Sequence, residues 1–192
     1  MNSDSSHVMV DVECLSLKPH AVLLSLGAVR FDPTAYDEWS TLDYLSRTFY
    51  TAFSMDLQIQ AGGHICADTL GWWMQQSPDA QSVFEDSNAM PIHSTPEALD
   101  NFREFVGECA GLWASPSHFD YPKLLWLYEA NRMPFPVEYY KIHCAMTLKA
   151  VVDPTGENTK IHTMPGFVAH NALEDAKKQV LQVQQCLRLL KS

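Results

Sequence analysis

The amino-acid sequence predicts a mixed α/β domain with a central sheet flanked by helices. Three observations carry this: β-prone runs fill the first third of the chain, helical patterns follow them, and the clearest element is an amphipathic helix at the carboxy end. The stretches containing proline are short, and no Gly/Ser-rich run or repeat interrupts the chain. A single domain spanning residues 1–192 is therefore expected.

The first strand is expected over residues 7–13, with Val8, Val10 and Val12 on one face and Met9, Asp11 and Glu13 on the other. Residues 21–31 are almost continuously apolar, as suits a central strand covered on both sides. A third β-prone run covers residues 47–53, and the three together read as an antiparallel meander. Residues 67–76 form a helix candidate. Thr95-Pro96-Glu97-Ala98 reads as a cap with Pro at the first helical position, opening a helix to about Cys109. Leu112-Trp113-Ala114 is a short strand, residues 119–131 are helical in composition, 137–149 are ambiguous, and 153–165 read as a loop. In the last helix Asn171 is the expected cap and Glu174 the second arm of a capping box. Leu173, Ala176, Val180, Val183, Leu187 and Leu190 mark its apolar face.

A formal charge of -10 argues against broad, charge-driven coating of a nucleic-acid duplex. The charge is uneven, however. Residues 1–120 hold 4 Lys/Arg against 17 Asp/Glu, and residues 121–192 hold 9 against 6. A small phosphate-facing site would draw on the carboxy-terminal third. The five cysteines are odd in number and form no CxxC pair, which argues against a disulfide framework and a structural zinc site. The polar amino terminus carries no signal peptide and no apolar run spans a membrane, so a cytoplasmic protein without membrane attachment is the default.

Three segments carry chemistry. Asp11-Val12-Glu13 sets two carboxylates on one strand face, a costly pairing unless a cation or proton compensates, and their hard oxygens suit Mg²⁺ or Mn²⁺. The plainer reading is a solvated strand end. His170 precedes the last helix and Asp175 lies in its first turns, where the helix dipole already favours an acid. A histidine beside a bound carboxylate is by nature a general base. Asp120, after Ser117-His118-Phe119, is either a helix cap or a third acidic ligand.

In order and spacing these segments resemble the DEDDh exonucleases of the RNase H-like superfamily. Asp11 and Glu13 match the Asp-x-Glu motif, Asp120 the second-motif aspartate, and His170 with Asp175 the His-x-x-x-x-Asp motif. Trp72-Trp73-Met74-Gln75-Gln76-Ser77 and residues 170–176 look similar to the small bacterial and phage RNase T-like branch. The chain departs from the pattern at Ser115-Pro116-Ser117-His118, where the family often has a glycine-bearing approach.

The resemblance implies an RNase H-like fold whose first three strands are antiparallel. It implies that Asp11, Glu13, Asp120 and Asp175 surround two Mg²⁺ or Mn²⁺ ions about 4 Å apart, with His170 deprotonating the attacking water and Glu13 also meeting the terminal 3′-hydroxyl. The implied partner is the 3′ end of RNA or DNA, single-stranded or overhanging, with RNA slightly favoured and nucleoside 5′-monophosphates as products. A homodimer is compatible with it. Trp72, Trp73, Phe119 and Tyr121 are candidates to stack terminal bases, against a plainer reading as core. Lys160, Lys177 and Lys178 are candidates to touch phosphates. Two rival readings remain: a binding module of the same fold without turnover, and a phosphodiesterase restricted to dinucleotides or short oligonucleotides.

Overall fold

The structure is a computed structural model that describes residues 6–42, 46–89 and 94–191. Most of the polar amino terminus, residues 1–5, lies outside them. The expected meander is present: β1 (His7–Cys14), β2 (Leu23–Phe31) and β3 (Thr48–Ala52) pair antiparallel. Beyond β1, β4 (Gly111–Ala114) and β5 (Ile142–Cys144) add in parallel, giving a mixed sheet ordered β3-β2-β1-β4-β5.

Eight helices flank the sheet among the described residues: α1 (Met55–Gln60), α2 (Ala67–Trp73), α3 (Pro78–Gln81), α4 (Val83–Ala89), α5 (Thr95–Val106), α6 (Ser117–Ala130), α7 (Ala145–Val152) and α8 (Ala172–Leu189). α1, α3 and α4 were not foreseen, because segments of four to seven residues complete too little of a helical period to be read. The ambiguous segment at 137–149 resolves into a 3-10 turn at Tyr139–Lys141 followed by β5 and α7. Residues 153–165 contain no helix or strand; Asp153 ties the loop by accepting from the Thr159 amide, the Thr159 hydroxyl and Asn158.

The alternation of β1 sorts the core. Val8, Val10 and Val12 pack with Leu99 and Phe102 of α5 and with Leu124, Leu127 and Tyr128 of α6. Met9 faces the other way, onto Ala176, Val180 and Val183 of α8. Burying a valine is worth roughly 1.5–3 kcal/mol, so a one-residue slip that turned the three valines outward would be expensive. That register commits Asp11 and Glu13 to the face α8 covers.

Three helix boundaries differ from expectation. Ser94, not Thr95, caps α5, its hydroxyl accepting from the Glu97 amide. α6 begins at Ser117 behind an extended Pro116, so Asp120 sits in its first turn rather than at its cap, and Pro122 falls inside the helix. Leu190 lies past the end of α8 and is exposed.

Candidate active site

A cleft of about 550 Å³ opens at the carboxy ends of the parallel strands β1 and β4. Asp11, Glu13, Asp120, His170 and Asp175 all line it, so three segments far apart in sequence converge there. Each arrives for a local reason.

Asp11 pairs across the sheet with Gly27 of β2. A Cβ at Gly27 would lie 2.2 Å from the Ala172 carbonyl carbon and the Leu173 nitrogen. The bare glycine thus lets the first turn of α8 rest directly on the sheet opposite Asp11. Asn171 caps that turn, its Oδ1 accepting from the amides of Leu173 (3.1 Å) and Glu174 (3.2 Å). Glu174 does not supply the reciprocal arm expected of a capping box; its Oε1 accepts from Lys177 Nζ at 2.9 Å.

Asp175 Oδ2 accepts from the His170 amide at 2.8 Å. His170 holds a left-handed backbone, φ 64°, uncommon for a residue with a side chain and consistent with a conformation imposed by its surroundings. Its ring is gripped nearly perpendicular to Trp72, with centroids 4.8 Å apart, and more distantly by Trp73 at 6.2 Å.

Asp120 reaches the cleft from α6. β4 pairs with β1 only through Met9, and further along β1 the Val12 amide donates to Asp120 Oδ1 at 3.3 Å. The other oxygen, Oδ2, is buried and finds no hydrogen-bond partner among the described residues. Glu13, His170 and Asp175 form the tightest group, with one donor atom from each lying within 4.8 Å of the others. Asp11 and Asp120 fall outside that triplet while facing the same space.

All four acids are held above the usual carboxylate range. Burial drives Asp11 well up, and the charges of Asp120, Glu13 and Asp175 add to it, opposed by a hydrogen bond from Gln179. Glu13 is pushed up to about 8, by burial first and then by Asp175 and Asp120. Asp120 rises to about 7 through burial, against the pull of the Val12 amide and Lys123. Asp175 is raised by burial too, against the His170 amide and Lys178. Such a set ionises fully at neutral pH only with positive charge in its midst, and oxygen-rich ligands of this kind suit hard divalent cations.

Of the aromatic candidates, Trp72, Trp73 and Phe119 line the cleft. Trp73 is only 1% exposed and its indole N–H donates to the Cys14 carbonyl at 3.0 Å, so it is wall and core rather than a free stacking face. Trp72 is 41% exposed. Tyr121 turns from the cleft to pack edge-on against Phe135, centroids 5.2 Å apart.

The structure places the lysine candidates away from the cleft lining. Lys177 is 2% exposed, held between Glu174 and the Trp39 ring, 4.3 Å away. Two residues of helix rotate it about 200° from Asp175, onto the opposite flank of α8. Lys178 lies over Phe167, and Lys160 lines a separate cavity of about 520 Å³ with Trp39 and Arg188. No Lys or Arg lines the cleft among the described residues.

Three contributors were not foreseen. Gly27 had no signal beyond its place opposite Asp11. Gln179 donates to Asp11 Oδ1 at 2.7 Å and follows Asp175 by four residues, the spacing that shares a helix face. Lys123 follows Asp120 by three; it is buried, donates to the Phe119 carbonyl at 2.8 Å and sits 3.1 Å from the centre of the Phe119 ring.

Known proteins share this architecture. S. pombe Pop2p, in its Mg²⁺- and Mn²⁺-bound form, superposes with a TM-score of 0.59 at 12% identity, covering 93% of this chain and 81% of that one. The nuclease domain of 3′hExo, a DEDDh family member bound to rAMP, gives 0.58 at 12% identity over 97% and 94%. E. coli ExoI, in a zinc-bound complex with single-stranded DNA, gives 0.62 at 10% identity over 98% of this chain and 42% of that one. At such identities the likeness establishes the fold, which is RNase H-like. In sequence, an exodeoxyribonuclease of Enterobacteria phage T4 is 24% identical over 94% of this chain and 88% of its own length. The 3′-5′ exoribonuclease Rv2179c-like domain matches residues 6–187, nearly the whole chain, and the protein belongs to that family.

Proposed function

We propose that the chain, as one exonuclease domain, is a metal-dependent 3′-to-5′ exonuclease that hydrolyses the terminal phosphodiester of a single-stranded or 3′-overhanging nucleic acid and releases nucleoside 5′-monophosphates. The observation that carries this reading is the convergence of Asp11, Glu13, Asp120, His170 and Asp175 on one cleft. Fit to a divalent cation is supported by the buried, unpartnered Oδ2 of Asp120 and by the raised carboxyls. A kinship with the RNase T-like branch, supported by residues 72–77 and 170–176, belongs to the same reading.

In it, Asp11, Glu13, Asp120 and Asp175 hold two Mg²⁺ or Mn²⁺ ions, which when bound acidify a water and offset charge on the phosphate. His170 accepts the proton of the attacking water on an imidazole nitrogen. The water oxygen bonds to phosphorus as the bond to the leaving 3′-oxygen breaks. Trp72 fixes the His170 ring from the side, while Asp175 holds its amide. Glu13 meets the terminal 3′-hydroxyl. Phe119 and the open part of Trp72 offer stacking surfaces that tolerate any base. RNA is the favoured substrate, on the description of the family; the phage relative makes DNA the necessary comparison.

The test is a time course on 5′-labelled RNA and DNA, single-stranded and overhanging, with Mg²⁺, Mn²⁺ or EDTA and an Asp11→Asn control. The expected result is a metal-dependent ladder shortening from the 3′ end and absent in the variant. Folded protein that yields no ladder on any substrate overturns the reading. A second reading, restriction to dinucleotides and short oligonucleotides, is favoured by the lack of Lys or Arg along the cleft among the described residues. A chain-length series separates the two.

A further inference from the structure

We propose that Gln179 is a positioning residue: its carboxamide holds the Asp11 carboxylate in the orientation that receives a divalent cation and locks it to the helix that carries Asp175. The inference rests on the nuclease reading above.

Gln179 lies one turn beyond Asp175 on the same face of α8 and reaches 168 positions back along the sequence to β1. Its Nε2 donates to Asp11 Oδ1 at 2.7 Å, a short bond that is charge-assisted once Asp11 is ionised. The side chain is only 9% exposed, so water does not readily replace the contact. Its Oε1 is buried and has no partner among the described residues. A buried acceptor left unmet is costly, yet turning the amide over would face that oxygen to the Asp11 carboxylate, acceptor to acceptor. With Asp11 ionised, as cation binding requires, the orientation is set by Asp11.

The residue type matters. A lysine here would neutralise Asp11 and compete with a cation, and a glutamate would add a further negative charge. The neutral amide occupies one oxygen, adds no charge of its own, and leaves the second oxygen of a residue that lines the cleft free of this contact. Groups that orient metal-binding carboxylates in this manner typically change metal affinity 10- to 100-fold when removed.

The experiment compares wild type with Gln179→Met, which keeps length and volume but has no donor, and Gln179→Asn, which keeps the amide but falls a methylene short. Mn²⁺ affinity is measured by electron paramagnetic resonance of the free ion, the thermal midpoint is measured in EDTA, and kcat and KM are measured separately on a short oligonucleotide. The expected result is an Mn²⁺ Kd weakened about tenfold or more in both variants. The EDTA midpoint of Gln179→Met should be at or above wild type, and kcat should fall with KM unchanged. Wild-type Mn²⁺ affinity in either folded variant overturns the proposal, as does a loss of affinity matched by a comparable loss of the metal-free midpoint. A wild-type protein that binds no Mn²⁺ overturns the nuclease reading itself, and this inference with it.

Discussion

Glu13 and Asp120 show how much this cleft departs from a water-exposed surface. A carboxyl of the unfolded chain titrates near pH 4, whereas burial raises these two to about 8 and about 7, Glu13 with the added charge of Asp175 and Asp120. Between those limits the folded, metal-free protein holds protons that the unfolded chain has released. Stability must therefore fall as pH rises from about 4 toward about 8, the reverse of an ordinary salt-bridged acid. Calorimetry in EDTA at pH 5.5 and pH 8 should show the lower midpoint at the higher pH, and Mg²⁺ should remove most of the difference. Equal midpoints in EDTA would mean that the acids are not held as buried neighbours. Asp11, Glu13, His170 and Asp175 were legible in the sequence because short motifs keep them in register with one strand or one helix start. The partners that tune them were not: Gln179 is an ordinary helical glutamine until the fold brings Asp11 to it, and Lys177 is an ordinary surface lysine until Trp39 covers it.

At the scale of elements, the decisive contact is the seat of α8 on β2. Gly27 leaves no gap between sheet and helix, so any Cβ there meets backbone on the far side, which cannot rotate away. Gly27→Ala should lift the first turn of α8, with it Asp175 and the His170 amide, and destabilise the fold by about 3 kcal/mol. Denaturant titration reads the loss of stability, and Mn²⁺ binding reads the displaced acid; a variant with wild-type values for both would show that the helix can slide at no cost. α8 was recognisable because it is long, capped by Asn171 and periodic, and β1 because its alternation is strict. α1, α3 and α4 are short, and the start of α6 was shifted by a proline in a cap position that favoured it less than Asp120 did. Such boundaries are set by what the chain packs against, which local pattern does not contain.

For the whole molecule, the acidic balance and the cleft without Lys or Arg among its described lining point the same way. On the function proposed above, the strand end would be gripped by cations and stacking more than by lysine-to-phosphate pairs. If no more than about two such pairs form, the logarithm of affinity for a single strand should fall with the logarithm of salt at a slope no steeper than about −1.4. Titrating KCl at constant Mg²⁺ while following KM measures it, and a slope several times steeper would reveal a basic path along the strand outside the cleft. The expected sheet, with its three antiparallel strands, is the sheet observed, and no helix among the described residues is long and apolar enough to cross a membrane.

Trp72 has a consequence of another kind. It is the one exposed tryptophan among the described residues, and its indole abuts the ring of His170. An imidazolium quenches indole emission, and a base laid on the indole does so as well. The protein thus carries its own optical reporter at the cleft: steady-state fluorescence, without any label and read as the difference from a Trp72→Phe variant, would follow the arrival of a strand end.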